Sequence, residues 1–448
     1  MVDTFVVVGG DAAGMSAASK AKRDDPDLDV VVFEKGEWVS YAACGMPYYI
    51  KGDVPGLDDL VTVTPREFVE ERDIDLRTGH EVVDVDPEAE TVTVQADAET
   101  FEQSYDHLLV STGAHAIRPP FDGMGLDGVF TIHNMDEADA IERFVTENDL
   151  ETAAIVGGGY VGIEMAEAMA ERGLTVHLYE MLPHVLQPFG EPVAEVVEEH
   201  LREQGVELHL DTAVSGFTGD GRVDGVQLDE ETVPADVAIV GVGVAPNVSL
   251  AESAGIELGP TGAIATDEYG RTNYENVYAA GDCAEARNVV TGEPDHVPLA
   301  LTANRAGRAI GQTVTGTPTP TGDIAGTAIV KAFDLGAART GIVDEEAARE
   351  AGFDPVSVTI TANTRAHYYP GGSELQVTLL ADRGSGTLLG GSVVGGEGAK
   401  RIDSIVMALY GGMTVEELQN ADLAYAPPFS PVWDPVLTAA KVLGGKLE

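Results

Sequence analysis

Residues 5–14 of the chain read FVVVGGDAAG, an apolar run that passes directly into a glycine-rich turn. The run Phe5–Val8 predicts a buried strand, because short apolar segments rich in β-branched residues are typical of strands. The alanine-rich segment Met15–Arg23 predicts a helix, and Asp29–Phe33 predicts a second strand, closed by Glu34. Together these segments predict a βαβ unit.

A second βαβ unit follows further along the chain. Ala153–Val156 predicts a strand, GGGYVG at residues 157–162 a turn, Ile163–Arg172 a helix and Thr175–Tyr179 the next strand, closed by Glu180. Such a turn directs helix N–H groups at a pyrophosphate, and the acidic residue accepts hydrogen bonds from ribose hydroxyls. The sequence therefore predicts two dinucleotide sites.

The two sites differ in detail. In the first turn Asp11 stands where the second glycine of the motif is usual, so an ordinary glycine-rich βα turn is the alternative interpretation. The second turn is complete. Glu180 repels a 2′-phosphate, and no Arg follows within five residues, which favours NADH over NADPH.

Two further segments end apolar strands, Ser111-Thr112-Gly113 and Gly281-Asp282. With the two turns they resemble the flavoprotein oxidoreductases that bind two dinucleotides. The resemblance implies FAD at the first turn, held by Gly9, Gly10, Ala13, Gly14, Glu34, Lys35, Ser111, Thr112, Gly113, Gly281 and Asp282. It implies NADH or NADPH at the second, held by Gly157, Gly159, Tyr160, Gly162, Glu180 and Gly243.

The expected architecture is α/β, with two Rossmann-like dinucleotide-binding domains and a C-terminal α+β dimerisation domain. The NAD(P)H domain, residues 114–243, is inserted in an FAD domain made of residues 1–113 and 244–314. Residues 315–326, rich in Thr, Gly and Pro, predict a linker, and residues 327–448 the dimerisation domain.

Cys44 is the candidate redox residue. The sequence contains neither C-x-x-C nor C-x-x-x-x-C. Pro47 suits the first turn of a helix, which would place Cys44 at a helix N-terminus and lower the pKa of its thiol. A buried structural cysteine is the alternative, and packing is the role predicted for Cys283.

The stretch Ser40–Cys44 resembles the active-site motif of the coenzyme A-disulfide reductases, a single-cysteine branch that also contains NADH oxidases and peroxidases. AHYYPG at residues 366–371 and YAPPF at 425–429 resemble the same group. The resemblance implies a mixed disulfide between Cys44 and CoA. It also implies a homodimer in which Tyr368 and Tyr425 reach the sulfur of the other subunit as catalytic residues.

The choice of branch depends on a missing histidine. Oxidases and peroxidases carry a histidine in the first glycine turn, where this chain has Ala12, and no histidine occurs between Met1 and Gly79. An oxygen or peroxide reaction would lack that acid–base group, whereas a disulfide does not need it. Lys20, Lys22 and Arg23, with Ser40, are the predicted CoA-binding residues; cations that stabilise a helix C-terminus are the alternative.

Two other functions stay open. One is an NADH oxidase or a reductase of polysulfide or of another small disulfide, such as that of gamma-glutamylcysteine. The other is a redox-sensing flavoprotein with little turnover.

The charge is strongly negative. Asp plus Glu is 76 and Lys plus Arg is 26, which gives a formal charge of −50. This surface repels phosphate backbones, so nucleic acid is excluded as a partner, and it indicates a halophilic protein whose repulsion is screened by molar salt.

The remaining composition indicates the compartment. With only two cysteines, the chain is expected in a reducing cytoplasm. The sequence contains no apolar run of about 18 residues, so no membrane-spanning helix is expected. The motifs predict no metal site.

Overall fold

The computed structural model describes residues 3–96 and 99–447. Within these residues, every helix is too short or too polar to span a lipid bilayer. Three five-stranded sheets organise the described chain, two of them parallel and one antiparallel.

The N-terminal segment builds most of the first parallel sheet. Its elements are β1 (Thr4–Val8), α1 (Ala12–Asp24), β2 (Asp29–Phe33), α2 (Met46–Lys51), α3 (Pro65–Glu70), β3 (Asp75–Arg77), β4 (His80–Asp86), β5 (Thr91–Ala96), β6 (Glu99–Ser104) and β7 (His107–Val110). Strand β1 pairs in parallel with β2 and β7, and β4–β6 form a separate antiparallel sheet. Helix α1 begins at Ala12 rather than at the predicted Met15, because the turn takes only residues 9–11.

The middle segment builds the second parallel sheet, in the order β12-β11-β10-β16-β9. Its elements are β8 (Ala114–Ala116), β9 (Val129–Thr131), α4 (Met135–Glu147), β10 (Thr152–Val156), α5 (Tyr160–Glu171), β11 (Thr175–Tyr179), α6 (Glu191–Glu203), β12 (Glu207–His209), β13 (Gly216–Gly219), β14 (Val223–Gln227), β15 (Thr232–Pro234), β16 (Val237–Val240) and β17 (Val244–Pro246). Helix α5 begins at Tyr160, so the predicted turn over 157–162 was too long: its second half is the first turn of the helix.

The chain passes between these two sheets through one antiparallel ribbon, β8 with β17. It then forms α7 (Ser249–Ser253), β18 (Val277–Ala279), β19 (Ala286–Arg287), β20 (Pro294–Asp295) and α8 (Ala300–Val314). Strand β18 completes the first sheet by pairing with β7. The second sheet is therefore inserted in the first, which confirms the predicted fold class. The domain borders at 113/114 and 243/244 stay a prediction, and both adjoin the ribbon.

Helices α1 and α8 pack closely and join the two halves of the first domain. Gly307 lies directly over the backbone of α1: a Cβ atom there would overlap the carbonyl oxygen of Ala13. At Gly311 a Cβ would lie 2.5 Å from the carbonyl oxygen of Ala17. Only glycine allows this approach, since any side chain would push α8 away from the N-terminal part of α1.

The C-terminal segment is an antiparallel sheet covered by helices. Its elements are β21 (Ala328–Ala332), β22 (Leu335–Gly341), α9 (Glu345–Glu350), β23 (Pro355–Asn363), β24 (Glu374–Asp382), β25 (Leu388–Gly395), α10 (Ile402–Tyr410), α11 (Val415–Gln419) and α12 (Pro435–Leu447). Helices α10 and α12 share a buried apolar core with the sheet, which confirms the predicted α+β character. The predicted linker 315–326 has irregular backbone. It is bonded to the first domain at Thr321, whose N–H donates to the carbonyl of Glu268 over 2.9 Å.

Candidate active site

The first glycine turn is a cradle that only small residues fit. Gly9 has a φ of +105°, and a Cβ there would overlap the carbonyl of Ser111; a Cβ at Gly14 would overlap the carbonyl of Gly9. The carboxylate of Glu34 accepts hydrogen bonds from the N–H groups of Gly10 (2.8 Å) and Gly36 (2.7 Å). The cap residue Asp11 makes no side-chain bond to the start of α1. A helix start without a side-chain cap is the arrangement that a pyrophosphate site requires.

The second turn repeats this construction. Gly157 also has a φ of +105°, and a Cβ at Gly162 would overlap the carbonyl of Gly157. The buried carboxylate of Glu180 accepts from Gly158 N–H (2.6 Å) and Leu182 N–H (2.8 Å). Each predicted ribose-binding acid thus also fixes its own glycine turn, so both turns can hold a dinucleotide.

Other predicted FAD residues gather near α1. Gly281, with a φ of +85°, lies against Ala13, where a Cβ would be 3.2 Å from the Ala13 methyl carbon. Burial raises the pKa of Asp282, which follows it. Ser111 Oγ donates to the carbonyl of Val8 over 2.8 Å, and Thr112 Oγ1 to the carbonyl of Asn247 over 2.7 Å. Lys35 is exposed.

The predicted NAD(P)H residues outside the turn have defined places as well. Tyr160, at the start of α5, stacks edge-on against Phe189 with ring centroids 5.5 Å apart. Gly243 has a φ of +114°, and its carbonyl accepts from Ile117 N–H over 3.0 Å beside the β8–β17 ribbon.

Cys44 lies in a single 3₁₀ turn, Ala43–Gly45, directly before α2, and its side chain is exposed. Partial burial raises the pKa of the Cys44 thiol, and the nearby carboxylates of Glu164 and Asp282 raise it further. The prediction of a lowered thiol pKa is therefore wrong for the protein chain: burial of the thiol first, and the nearby carboxylates second, outweigh any effect of the short helix that follows.

These carboxylates also locate Cys44 in the fold. Asp11 and Asp282 belong to the first domain, whereas Glu164 is on α5 of the second, and all three act on the Cys44 thiol. Cys44 therefore lies between the first domain and α5 of the second, and α2, which follows Cys44, packs against α5. Cys283 is fully buried, with Sγ 3.4 Å from the carbonyl oxygen of Ala280, as its predicted packing role requires.

The sequence analysis missed a tyrosine–carboxylate pair between the domains. The hydroxyl of Tyr48, on α2, donates to Oε1 of Glu164 over 3.3 Å. Burial raises the pKa of Glu164 to about 7. The available signal was an acidic residue two positions after the last motif glycine, in a helix that is otherwise largely apolar.

Two ion pairs to the buried Glu167, beside this pair, join all three parts of the described chain. Glu167, also on α5, accepts from Lys51 Nζ on α2 (2.9 Å) and from Lys331 Nζ on β21 (2.6 Å). Burial alone would raise the pKa of Glu167, but the hydrogen bonds from Lys331 and Lys51 hold it below its usual value. These ion pairs fix α5 against α2.

The two C-terminal motifs meet on one exposed surface. The hydroxyl oxygens of Tyr368 and Tyr425 are within hydrogen-bond distance, and the side chains are 64% and 44% exposed. Arg401 anchors this segment by donating to the carboxylate of Asp434 (2.9 Å) and the carbonyl of Phe429 (2.7 Å). The structure thus unites residues predicted from separate motifs, while their reach into a second subunit stays a prediction.

The predicted CoA cations are largely engaged within the chain. Lys22 Nζ donates to the carbonyls of Pro26 and Leu28, each at 3.0 Å, and pairs with Asp73. Lys20 pairs with Asp24 over 2.6 Å. These contacts match the alternative interpretation, cations at a helix C-terminus, whereas Arg23 is exposed.

Ser40 has a strained backbone in the left-handed region, with a φ of +50°. Its Oγ lies 2.9 Å from Oγ1 of Thr62, and Thr62 N–H donates to the carbonyl of Ser40 over 2.8 Å. These bonds hold the residue in place at the start of the Cys44 segment, so a side chain there has a fixed direction.

Comparisons with known proteins add the family. A sequence model described as pyridine nucleotide-disulphide oxidoreductase matches residues 3–307, and the model of its dimerisation domain matches residues 327–435. The chain is 40% identical over 444 residues to an NAD(P)H coenzyme A polysulfide/persulfide reductase of Pyrococcus horikoshii, with 99% of each chain covered. It is 34% identical over 436 residues to a coenzyme A disulfide reductase of Staphylococcus aureus, covering 95% of this chain and 96% of that one.

A solved structure is similar over the same extent. The NAD-dependent persulfide reductase from A. fulgidus superposes with a TM-score of 0.96 at 39% identity, covering 99% of this chain and 83% of that chain.

Proposed function

The chain belongs to the pyridine nucleotide-disulphide oxidoreductase family, and from this premise we propose that it reduces coenzyme A disulfide through a mixed disulfide on Cys44. Family membership makes it an oxidoreductase with FAD and NAD(P)H as cofactors. The dimerisation-domain match indicates a homodimer.

The residues present fit both cofactors. The turn from Gly9 to Gly14, with Glu34 and Asp282, would hold FAD, because its glycines let the strand end, the turn and the start of α1 pack closely, as a dinucleotide-binding turn requires. The turn from Gly157 to Gly162, with Glu180, would hold NAD(P)H on the same grounds. FAD, when bound, accepts a hydride from NAD(P)H and passes two electrons on to sulfur.

The observation that carries the proposal is the placement of Cys44. It is an exposed thiol close to residues of both glycine-turn domains, and Cys283 is buried. A dithiol relay within the described residues is therefore replaced by a single cysteine that must pair with a thiol from outside the chain.

In the proposed cycle the Cys44 thiolate attacks one sulfur of CoA disulfide. The substrate S–S bond breaks, a Cys44–S–S–CoA bond forms, and the first CoA leaves as a thiolate that takes a proton. Two electrons and one proton then break the mixed disulfide, which restores the Cys44 thiolate and releases the second CoA as a thiol.

We assign the proton donor to Tyr425, with Tyr368 as its hydrogen-bond partner, both supplied by the other subunit of the dimer. A tyrosine hydroxyl can protonate a leaving thiolate. For the CoA phosphates, the predicted region of Lys20, Lys22, Arg23 and Ser40 is retained, with Arg23 as its exposed cation.

A second candidate is reduction of CoA persulfide or polysulfide. It is favoured by the similarity to the P. horikoshii and A. fulgidus persulfide reductases, which are 40% and 39% identical to this chain, against 34% for the S. aureus disulfide reductase. The same Cys44 and cofactors would serve, with CoA thiol and hydrogen sulfide as products.

A comparison of substrates in parallel assays separates these candidates. The FAD-loaded protein is supplied with NADH and, in parallel, with CoA disulfide, CoA persulfide, gamma-glutamylcystine or oxygen alone. The proposal expects the highest kcat/KM with CoA disulfide, two CoA thiols per NADH, and a CoA adduct on Cys44 by mass spectrometry. A higher kcat/KM with CoA persulfide and sulfide release would establish the second candidate instead, and turnover with oxygen alone would indicate an oxidase. Cys283→Ser is the matched control and should keep full activity.

A further inference from the structure

The edge of the second parallel sheet carries a cluster of metal-ligating side chains that the proposed function does not use. Strands β11 and β12 pair in parallel, with His177 opposite Glu207 and Tyr179 opposite His209. Residues in register, and residues two apart in one strand, project from the same face of a sheet. His177, Glu207 and His209 therefore share one face by construction of the sheet.

The distances between their donor atoms match the edges of a coordination polyhedron. His177 Nδ1 lies 3.1 Å from His209 Nε2 and 3.4 Å from the nearer carboxylate oxygen of Glu207. One ligand atom of each residue lies within 4.8 Å of the other two. A tetrahedral cation with bonds of about 2.0–2.1 Å places its ligands roughly 3.3 Å apart. Two of the three separations are thus close to those of a tetrahedral site.

We propose that His177, Glu207 and His209 bind one divalent first-row transition cation, with Zn²⁺ as the best match. Two imidazoles and one carboxylate suit Zn²⁺, Cu²⁺ or Ni²⁺, whereas Mg²⁺ and Ca²⁺ require mostly oxygen ligands. The exposed position of Glu207 leaves a fourth ligand position open to water.

The charges around the cluster suit a cation. The carboxylates of Glu207 and Glu231 both act on His209, and they supply the negative charge that attracts a cation.

The competing explanation is a simple aromatic stack. The His209 ring lies 4.7 Å from that of Tyr179 and 5.4 Å from that of His177, nearly parallel to both. An N–H···N bond between the histidines would also give the 3.1 Å separation. In this explanation Glu207 forms only an ion pair with His177, over 3.4 Å.

A bound cation would act close to the nucleotide turn. Glu180 follows His177 by three residues, and its N–H donates to the carbonyl of His209 over 2.9 Å. The cation would therefore hold β12 to β11 beside the acid that fixes the second glycine turn. It would also stabilise the native state by mass action.

The test titrates the FAD-loaded Cys44→Ser dimer, so that the exposed thiol does not compete. After chelation and dialysis into about 1 M KCl, which screens diffuse binding by surface carboxylates, Zn²⁺ is followed by calorimetry and Co²⁺ by its visible absorption. We expect one cation per chain, a tetrahedral Co²⁺ spectrum and a raised melting temperature. Because even outer-shell changes weaken metal sites by about 10–100-fold, His209→Gln should weaken binding by at least about 100-fold.

Two further variants make the result decisive. Glu207→Gln changes an exposed side chain and should weaken binding with FAD content unchanged. His200→Gln is the matched control, since His200 lies beside two carboxylates, Asp334 and Glu203, without a second histidine; it should bind as the parent does. Binding by the parent that is no tighter than by His209→Gln and Glu207→Gln would overturn the proposal and leave the aromatic stack.

Discussion

The hydroxyl oxygens of Tyr368 and Tyr425 lie 3.2 Å apart although 57 residues separate them in the chain. The hydrogen bond between the two hydroxyls raises the pKa of Tyr425. Tyr425 is therefore protonated in the resting protein. The pair lies on an exposed surface of the C-terminal domain, the part of the chain that matches the dimerisation domain.

Removal of the Tyr425 hydroxyl should slow disulfide turnover. For Tyr425→Phe we expect a folded dimer, unchanged flavin reduction by NADH, and disulfide turnover reduced by about 10²-fold, the usual effect of losing a general acid. Tyr369→Phe removes a hydroxyl from the same exposed segment and is the control. Stopped-flow and steady-state assays measure the two half-reactions, and normal turnover in both Tyr425→Phe and Tyr368→Phe would contradict the assignment.

The pH dependence of Cys44 should respond to Glu164. Burial raises the pKa of the thiol and the negative charge of Glu164 raises it further, so Glu164→Gln should lower the thiol pKa and speed alkylation at about pH 8 by several-fold. Because the pKa of Glu164 is itself about 7, the wild-type carboxyl is neutral well below that pH and the difference should vanish there. Rates of iodoacetamide alkylation across pH measure this effect.

Glu171→Gln, an exposed position on the same helix, is the control for that experiment. If Glu164→Gln alkylates at the wild-type rate at every pH, the carboxylate does not face the thiol.

Nucleotide preference should follow the charge at Glu180. Wild type should have a higher kcat/KM with NADH, because the Glu180 carboxylate repels a 2′-phosphate. Glu180→Ala combined with Met181→Arg should shift the ratio towards NADPH by tenfold or more, since the exposed position 181 can present a guanidinium to the phosphate. The control is Glu180→Ala combined with Met181→Gln, which differs from the first double variant only in lacking the guanidinium charge. A wild-type preference for NADPH would refute this role of Glu180.

Gly307→Ala should separate α8 from α1. The added methyl group would overlap the carbonyl of Ala13, and overpacking of this kind costs about 1–3 kcal/mol. We expect a lower melting temperature and weaker FAD retention, because α1 carries the first glycine turn. Gly445→Ala makes the same change in a helix with open space around it and should be neutral or stabilising.

Salt should stabilise the fold. With a formal charge of −50, repulsion between carboxylates is unscreened in dilute buffer, and the melting temperature should rise by at least several degrees on going to molar KCl. Sucrose, which favours the compact state without screening charge, is the control. A melting temperature that stays level across this range would mean that the acidic surface is no adaptation to salt.

The dinucleotide turns were predictable from sequence because their chemistry is local. Gly9, Gly157 and Gly162 occupy places where a Cβ atom would overlap backbone. Each of these positions therefore requires glycine, and the sequence shows it directly. The acids Glu34 and Glu180 could also be predicted, because each stands at the end of the strand that follows its glycine turn. Their second role, fixing the turns through N–H groups, became visible only with the hydrogen bonds.

The surroundings of Cys44 could not be predicted because they depend on packing between domains. Tyr48 and Glu164 are 116 residues apart, and only the contact of α2 with α5 brings them together. Burial raises the pKa of the Cys44 thiol and the charge of Glu164 raises it further, and the position of Cys44 before a helix reveals neither effect. Likewise, Lys22 donates hydrogen bonds to the carbonyls of Pro26 and Leu28 in the loop after α1. The spacing of cations on α1 does not reveal these bonds.

The burial of Cys283 has a practical consequence for anyone handling this protein. With that sulfur enclosed, a mild thiol reagent reacts with Cys44 alone, so the number of labels taken up counts the accessible Cys44 thiols in a preparation. The same selectivity lets a dye, spin label or surface linker be attached at Cys44 of the native sequence. No cysteine has to be added or removed first.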